Sequence, residues 1–419
     1  MLNTLKQLTS KENKDIRKRI YFTLFVLLIF VVGTNIRVPG TKDYTSSLGF
    51  LELLNVMGGG ALKRQSIFAL GVMPYITAQI IMELLQMDII PYFSELKKEG
   101  PVGRQKINQI SRYAGIFIAF IQGFGLAYMF MGKGKPVGDY LYISTILTAG
   151  TAFLLWLGDQ VTEKGIGNGL SLLIMAGIVI NLPSMMMQAF ELLVLGTRFS
   201  KTTGSILFAL FIAVYFLIIL GVIFVEQAIR KVPIQYATKT TFSKSNRSYM
   251  PFKINSAGVI PVIFASSLMM VPSTLAQFTK NAKFIQIANN YFNYTKTVGF
   301  IIFVVLIFAF SYFYTFVQIR PDELAKNLNE AGGFIPGIRP GKETQDYISA
   351  LLTRITLFGS IFIAMISGFP IIFNNLTKLP STITLGGTGL LIVVGVVLET
   401  YKQLESGLVA RHYTRSYLK

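Results

Sequence analysis

The residues VGFIIFVVLIFAFSYFYTFVQ, numbers 298–318, decide the class of this protein. This run of 21 residues contains no Asp, Glu, Lys, Arg or His. A helix of about 20 apolar residues crosses the hydrocarbon core of a bilayer, roughly 30 Å thick, with every backbone hydrogen bond made internally. We therefore predict that residues 298–318 form a membrane-spanning helix.

Nine more apolar runs of similar length occur along the chain, so the sequence predicts an all-α polytopic membrane protein. Charged residues make up only 14% of the chain, whereas soluble domains carry about 25%. The ten predicted spans are 20–36, 71–87, 113–131, 141–157, 170–190, 206–225, 256–274, 298–318, 355–374 and 384–401.

The distribution of basic residues predicts the orientation of these spans. The chain has 39 Lys and Arg and a net charge of +19. Sorted by alternating loops, 27 of them fall on the side of the N-terminus and 12 on the other side. Cytoplasmic loops carry the excess of Lys and Arg, so both termini are predicted to be cytoplasmic. A basic excess also suits nucleic acid, but in a membrane protein it is typical of loops that face anionic lipid or partners.

Ten spans divide into five plus five, which predicts two halves of opposite topology, residues 1–195 and 206–419, joined by a hinge at 196–205. Two polar segments, 227–254 and 320–354, are predicted to be cytoplasmic loops. The segment 48–70 is apolar but too rich in glycine to span alone, so we expect it to fold back among the helices. Gly71 to Pro74 then reads as a hinge between a short re-entrant helix and a full one.

The residues needed for catalysis are scarce, and we predict that the chain is not an enzyme and uses no cofactor. His412 is the only histidine and there is no cysteine, so a metal centre or a histidine base has almost no candidates. The string GIGNG at 165–169 superficially resembles a phosphate-binding loop. No strand precedes it and no Lys-Ser or Lys-Thr follows it, which favours a tight turn between two helices.

The absence of charge from the centres of the spans favours a passive conduit. Ion-coupled transporters commonly carry an Asp, Glu or His at mid-depth, although broken helices can coordinate sodium without one. A secondary transporter of a small solute, with a 5+5 inverted repeat, therefore stays open as the alternative. A membrane scaffold without a conduit is the third reading.

Five stretches resemble signature sequences of the bacterial SecY family, in order and across nearly the whole chain. They are GGALKRQSIFALGVMPYITAQIIMELLQ (59–86), WLGDQVTEKGIGNGLSLLIMAGI (156–178), AGVIPVIFASSL (257–268), AGGFIPGIRPGKET (331–344) and GGTGLLIVVGVVLETYKQLES (386–406). The resemblance implies a ten-helix, protein-conducting channel with two pseudo-symmetric halves in the bacterial inner membrane. It also implies the partners SecE, SecG, the SecA motor ATPase, the ribosome, signal sequences, unfolded preproteins and lipids, with YidC and SecDF as further candidates.

The resemblance also assigns residues to the channel interior. The pore constriction falls on six aliphatic residues, Val72, Ile76, Leu170, Ile174, Ile263 and Ile392. Converging apolar side chains can dewet a closed pore. The plug falls on residues 50–65, with Met57 inside it and Gly58, Gly59 and Gly60 as the swing point. Thr77, Gln122 and Asn255 match positions of a polar patch along the lateral gate.

The docking surface for SecA and the ribosome falls, by the same resemblance, on basic residues of the two cytoplasmic loops. They are Arg339, Arg230, Lys231, Lys239, Lys244 and Arg247. An arginine fork pairs bidentately with carboxylate or phosphate, which suits such a surface. The 239–247 stretch departs from the family, because it reads TKTTFSKSNR around residues 238–247 where a denser run of arginines is expected.

Overall fold

A computed structural model gives the architecture of the chain and describes residues 14–41, 52–86, 90–132, 134–196, 200–236, 248–278, 281–292, 296–377 and 386–417. The helices are α1 Lys14–Gly33, α2 Glu52–Met57, α3 Met73–Leu85, α4 Pro91–Lys98, α5 Pro101–Met131, α6 Val137–Lys164, α7 Gly169–Phe190, α8 Lys201–Gln227, α9 Ile260–Phe278, α10 Ala282–Tyr291, α11 Thr297–Gln318, α12 Pro321–Glu330, α13 Lys342–Thr377 and α14 Gly386–Tyr417. A π-helical turn, Glu191–Leu195, continues α7. The strands are β1 Ile229–Tyr236, β2 Ser248–Lys253 and β3 Gly333–Phe334.

Each of the ten predicted spans overlaps one of these helices, which confirms a helical membrane fold. By length and apolar character, six helical segments in the described part of the chain could cross a membrane. They are Pro101–Met131, Val137–Lys164, Gly169–Leu195, Lys201–Gln227, Thr297–Glu330 and Lys342–Phe369. Several helices extend beyond the predicted apolar runs because polar turns continue them. One is α5, which begins at Pro101, where a missing N–H costs nothing.

The chain divides into two compact units. The first comprises Met1–Phe208, Pro272–Ile285 and Leu379–Lys419, and the second comprises Ala209–Val271 and Gln286–Lys378. The last helix, α14, thus belongs to the first unit. The predicted division into halves at residues 196–205 stays a prediction.

Helices of the first unit pack closely through small residues. A Cβ atom added at Gly115 of α5 would lie 3.0 Å from the Cα of Tyr75 in α3. Where α5 meets α6, the Ser144 hydroxyl donates to the Phe120 carbonyl at 2.8 Å. Small and hydroxyl side chains let helix backbones approach, and this packing is the usual source of association between membrane helices.

In the second unit, the two segments predicted as cytoplasmic loops fold into one module. The antiparallel strands β2, β1 and β3 form a three-stranded sheet in that order. The sheet and the adjoining helices share a hydrophobic core that consists of Val232, Ile234, Phe252, Leu328, Ile335, Ile348, Leu352 and Ile355. This sheet was not predicted from the sequence, although Val232, Ile234 and Tyr236 alternate with exposed residues as in a half-buried strand.

Candidate functional site

The GIGNG string forms a tight connection between α6 and α7, as predicted. The Asn168 side chain caps α7 by accepting hydrogen bonds from the backbone N–H groups of Leu170 at 3.1 Å and Ser171 at 3.3 Å. Gly167 has a φ of +83°, a left-handed conformation that favours glycine. At Gly169, a Cβ atom would lie 1.9 Å from the Gly158 carbonyl oxygen. The glycines therefore serve the turn and the close approach of the two helices.

Five of the six predicted pore residues belong to the first unit, and Ile263 belongs to the second. Val72, Ile174, Ile263 and Ile392 are buried, while Ile76 and Leu170 are half-buried. The Leu170 side chain packs toward α6, because its Cδ2 atom would lie 2.7 Å from a Cβ added at Gly158.

Two of these residues, Ile174 and Ile392, lie on helices that pack against each other. Ile178 of α7 would touch a Cβ at Gly389 of α14 at 3.0 Å, and Thr400 would touch one at Gly167 at the same distance. The two helices therefore run antiparallel. At a rise of about 1.5 Å per residue, Ile174 and Ile392 lie within roughly one helical turn of the same height. A single constriction formed by all six residues stays a prediction.

The predicted plug is described from residue 52 onward, and we call residues 52–65 the plug segment. It consists of the short helix α2 followed by turns in which Gly59 and Gly60 have φ values of +72° and +79°. Asn55 and Met57 are buried. Inside the segment, the Asn55 side-chain oxygen accepts a hydrogen bond from the Lys63 N–H at 2.9 Å. The expected fold-back is therefore present, with glycine at the turns that need left-handed backbone.

The C-terminal end of the plug segment is tied to the residues that follow α1. The Val38 N–H donates to the Gln65 carbonyl at 2.9 Å, and the Ile67 N–H donates to the Ile36 carbonyl at 3.0 Å. The Phe68 ring then stacks between the rings of Phe30 and Phe153, with centroid distances of 6.2 Å to each. This end of the segment is thus fixed by both hydrogen bonds and aromatic packing.

The start of α3 shows how the segment joins a full helix. Gly71 has a φ of +58°, and α3 begins two residues later with Pro74 in its first turn. Proline is tolerated there because the first N–H groups of a helix have no partner within it. The left-handed backbone of Gly71 therefore lies where the re-entrant segment meets α3, and its role as a hinge stays a prediction.

The three predicted gate residues lie in different settings. Thr77 donates to the Met73 carbonyl of its own helix at 3.1 Å, and Gln122 is half-buried on α5. Asn255, in the second unit, is buried and donates to a carboxylate oxygen of Glu226 at 2.6 Å. This pairing was not predicted from the sequence. Glu226 directly follows one predicted span and Asn255 directly precedes the next, 29 positions later, and such positions do not identify a hydrogen-bond partner.

The predicted docking residues that the structure describes lie on the surface of the sheet module. Arg230 and Lys231 are exposed on β1, and the Lys231 ammonium lies 4.7 Å from the centre of the Tyr249 ring. The Arg339 side chain is 87% exposed, and its guanidinium is 4.0 Å from the Glu343 carboxylate. Such an exposed ion pair is worth little and leaves the guanidinium accessible. Lys239, Lys244 and Arg247 lie outside the described residues.

No group of three His, Cys, Asp or Glu residues that could hold a metal ion occurs among the residues that the structure describes. The residues predicted to be functional are aliphatic side chains, a short re-entrant segment and exposed basic side chains on the sheet module.

Comparison with known proteins identifies relatives along the whole chain. The family model described as SecY matches residues 66–401. The protein translocase subunit SecY of Staphylococcus epidermidis strain RP62A is 48% identical in an alignment 414 residues long that covers 96% of each chain. The corresponding subunit of Staphylococcus aureus strain NCTC 8325 is 46% identical over 96% of each chain.

Solved structures share the fold at lower identity. A structure described as "The structure of a protein conducting channel" has a TM-score of 0.65 at 18% identity and covers 93% of this chain and 92% of its own. One reported for the plug domain of SecY has a TM-score of 0.60 at 19% identity, with coverages of 93% and 92%. Sec61 in the canine ribosome-channel complex has a TM-score of 0.59 at 17% identity, again with coverages of 93% and 92%.

Proposed function

This chain belongs to the SecY family, and from that premise we propose that it is the central protein-conducting subunit of a Sec translocon. In this role it passes unfolded preproteins across the membrane and releases hydrophobic segments sideways into lipid. The observation that carries the proposal is similarity to translocase subunits over 96% of the chain at 46–48% identity. The chain is a channel subunit and not an enzyme.

The arrangement of the first unit supports a gated conduit. Aliphatic Ile174 and Ile392 lie within roughly one helical turn of the same height on the packed pair α7 and α14. Aliphatic side chains at a constriction exclude water when the pore is empty and bend around a moving chain without binding any sequence tightly. We assign the constriction to Val72, Ile76, Leu170, Ile174, Ile263 and Ile392, with the plug segment as its stopper.

The partners follow from the same family membership together with the basic surface. We assign SecA and ribosome docking to Arg230, Lys231 and Arg339, which are exposed on the sheet module, with Arg339 as the principal contact. An exposed guanidinium can pair with the carboxylates of a motor protein or the phosphates of ribosomal RNA. Family membership further suggests SecE and SecG as companion subunits, and YidC and SecDF as transient ones.

The orientation in the membrane is part of the proposal. The chain is a multi-pass membrane protein, and the 27-to-12 distribution of Lys and Arg favours both termini in the cytoplasm of a bacterial cell. Opening would move the halves on either side of residues 196–205 and part the lateral gate near Thr77, Gln122 and Asn255. A signal sequence, and then lipid, would occupy the space that opens at this lateral gate.

Reconstitution tests this function directly. The purified chain with SecE and SecG in proteoliposomes, supplied with SecA and ATP, is expected to move a preprotein with an intact signal sequence into the lumen. Protection of the preprotein from added protease measures the transport. A solute transporter would instead show saturable uptake of one small molecule without these partners. Uptake of that kind, with no protected preprotein, would contradict the proposal.

A further inference from the structure

The amide side chain of Asn181 links α7 to the plug segment. Its Nδ2 group donates to the Val56 carbonyl at 2.9 Å and to the carbonyl of Gly177, four residues earlier in α7, at 3.2 Å. A longer contact of 3.5 Å joins Nδ2 to the Asn55 carbonyl. An amide group carries two donor hydrogens, so it can serve its own helix and the plug segment at once.

The carbonyls that Asn181 meets are at the C-terminal end of α2, where helix carbonyls have no partner further along the helix. The Gly60 N–H donates to the Asn55 carbonyl at 2.7 Å, and the Gly59 N–H donates to the Val56 carbonyl at 3.2 Å. Asn181 adds a third donor from a different helix. The carbonyls at the end of α2 thus accept hydrogen bonds partly from the N–H groups of the following glycine turn and partly from the Asn181 amide of α7.

The spacing along α7 places this donor on the face that carries a predicted pore residue. Residues at intervals of three, four and seven share one helix face, which here brings together Ile174, Gly177 and Asn181. Gly177 lets the plug backbone come close, because a Cβ atom there would lie 2.1 Å from the Met57 carbonyl oxygen. One face of α7 therefore contains a pore residue, a clearance for the plug and a hydrogen-bond donor to it.

We propose that Asn181 is a positioning residue that seats the plug segment on α7 and so sets how stringently the channel stays shut without a signal sequence. This inference rests on the proposed function. When the plug leaves, Nδ2 loses the Val56 carbonyl but keeps the Gly177 carbonyl, so release leaves the amide with one of its partners. This hydrogen bond can therefore favour the seated position of the plug segment without preventing its release.

The test compares three variants of the reconstituted complex with SecE and SecG. Asn181→Ala removes the donor, and Asn181→Asp replaces it with a carboxylate that faces carbonyl oxygens. Ser144→Ala is the matched control, because it removes a 2.8 Å bond from a side chain to the Phe120 carbonyl in the same unit but away from the plug. The readouts are ion leak without substrate and SecA-driven transport of a preprotein with a defective signal sequence.

We expect Asn181→Ala to raise both readouts about fivefold, the factor that corresponds to about 1 kcal/mol for one net hydrogen bond. Asn181→Asp should raise them further, and Ser144→Ala should leave them at the wild-type level. Transport of a preprotein with an intact signal should not change in any variant. The melting temperature and the SecE yield of each complex check that it is folded.

The inference would be overturned if both Asn181 variants kept the wild-type ion leak and the wild-type transport of the preprotein with a defective signal sequence. It would also be overturned if Ser144→Ala raised these two readouts as much as the Asn181 variants do. A wild-type complex that transports no preprotein at all would instead contradict the proposed function. In that case the ion leak alone still decides whether Asn181 seats the plug.

Discussion

A single methyl group added at Gly177 tests whether the plug segment is seated on α7. The added Cβ of Gly177→Ala would lie 2.1 Å from the Met57 carbonyl oxygen, 2.9 Å from its carbon and 3.0 Å from the Gly59 nitrogen. All three are backbone atoms, so no change of side-chain rotamer relieves the overlap. We predict that this substitution displaces the plug segment from α7.

The size of the effect follows from this geometry. Non-bonded carbon–oxygen contacts are about 3.3 Å long, so the plug segment must move by roughly 1 Å to relieve the contact between the added Cβ and the Met57 oxygen. A hydrogen bond of 2.9 Å from Asn181 to the Val56 carbonyl does not survive such a movement intact. Overpacking costs about 1–3 kcal/mol and the lost bond about 1 kcal/mol, so the seated plug loses about 2–4 kcal/mol. At tenfold per 1.4 kcal/mol, the ratio of seated to displaced plug falls roughly 30- to 700-fold.

Single-channel recording of the reconstituted complex measures this ratio as the fraction of time that the channel conducts ions without substrate. Gly221→Ala is the matched control, because Gly221 is also inside a helix but has no atom within 4 Å of an added Cβ. Both substitutions gain about 1 kcal/mol of helix propensity, so only the clash distinguishes them. A Gly177→Ala channel that assembles with SecE and stays shut like the Gly221→Ala channel would refute the seating on α7.

Three further predictions concern the pore, the docking surface and the gate. Ile392→Asn should make the channel leak ions and accept poor signal sequences, because a polar group wets the constriction. Ile392→Leu should keep the channel shut, and equal conductance of the two variants would show that Ile392 does not line the pore. Arg339→Glu should abolish SecA-driven transport but leave SecE assembly intact. The Lys326 side chain is 75% exposed on the same module, and the control variant Lys326→Glu should transport normally. SecA-driven transport by the Arg339→Glu variant would disprove the docking role. A disulfide between cysteines at Thr77 and within 263–270 should stop transport until it is reduced, and undiminished transport by the fully oxidised protein shows that lateral opening is unnecessary.

Much of the helical architecture could be predicted because the signals are local. An apolar run such as 298–318 has to become a helix in lipid, whatever its neighbours are, since an unsatisfied backbone group is too costly there. The turn at GIGNG was predictable for a similar reason, because glycines and an Asn cap act within a few residues of themselves. The candidate pore and plug residues came from family resemblance, since an aliphatic residue in an apolar helix looks the same whether it lines a pore or fills a core.

What the sequence determined by itself is therefore the membrane class, the helical runs and the family. The tertiary structure decided which distant residues meet. The pairing of β1 with β3 joins Gln235 to Phe334, and the hydrogen bond from Asn181 to Val56 joins residues 125 positions apart. The periodicity and hydropathy of a sequence indicate only whether a residue is buried. Which strand pairs with another, and which carbonyl accepts a hydrogen bond from an amide side chain, depends on how separate elements pack. The seat of the plug on α7 and the sheet under Arg339 became visible only when those elements came together.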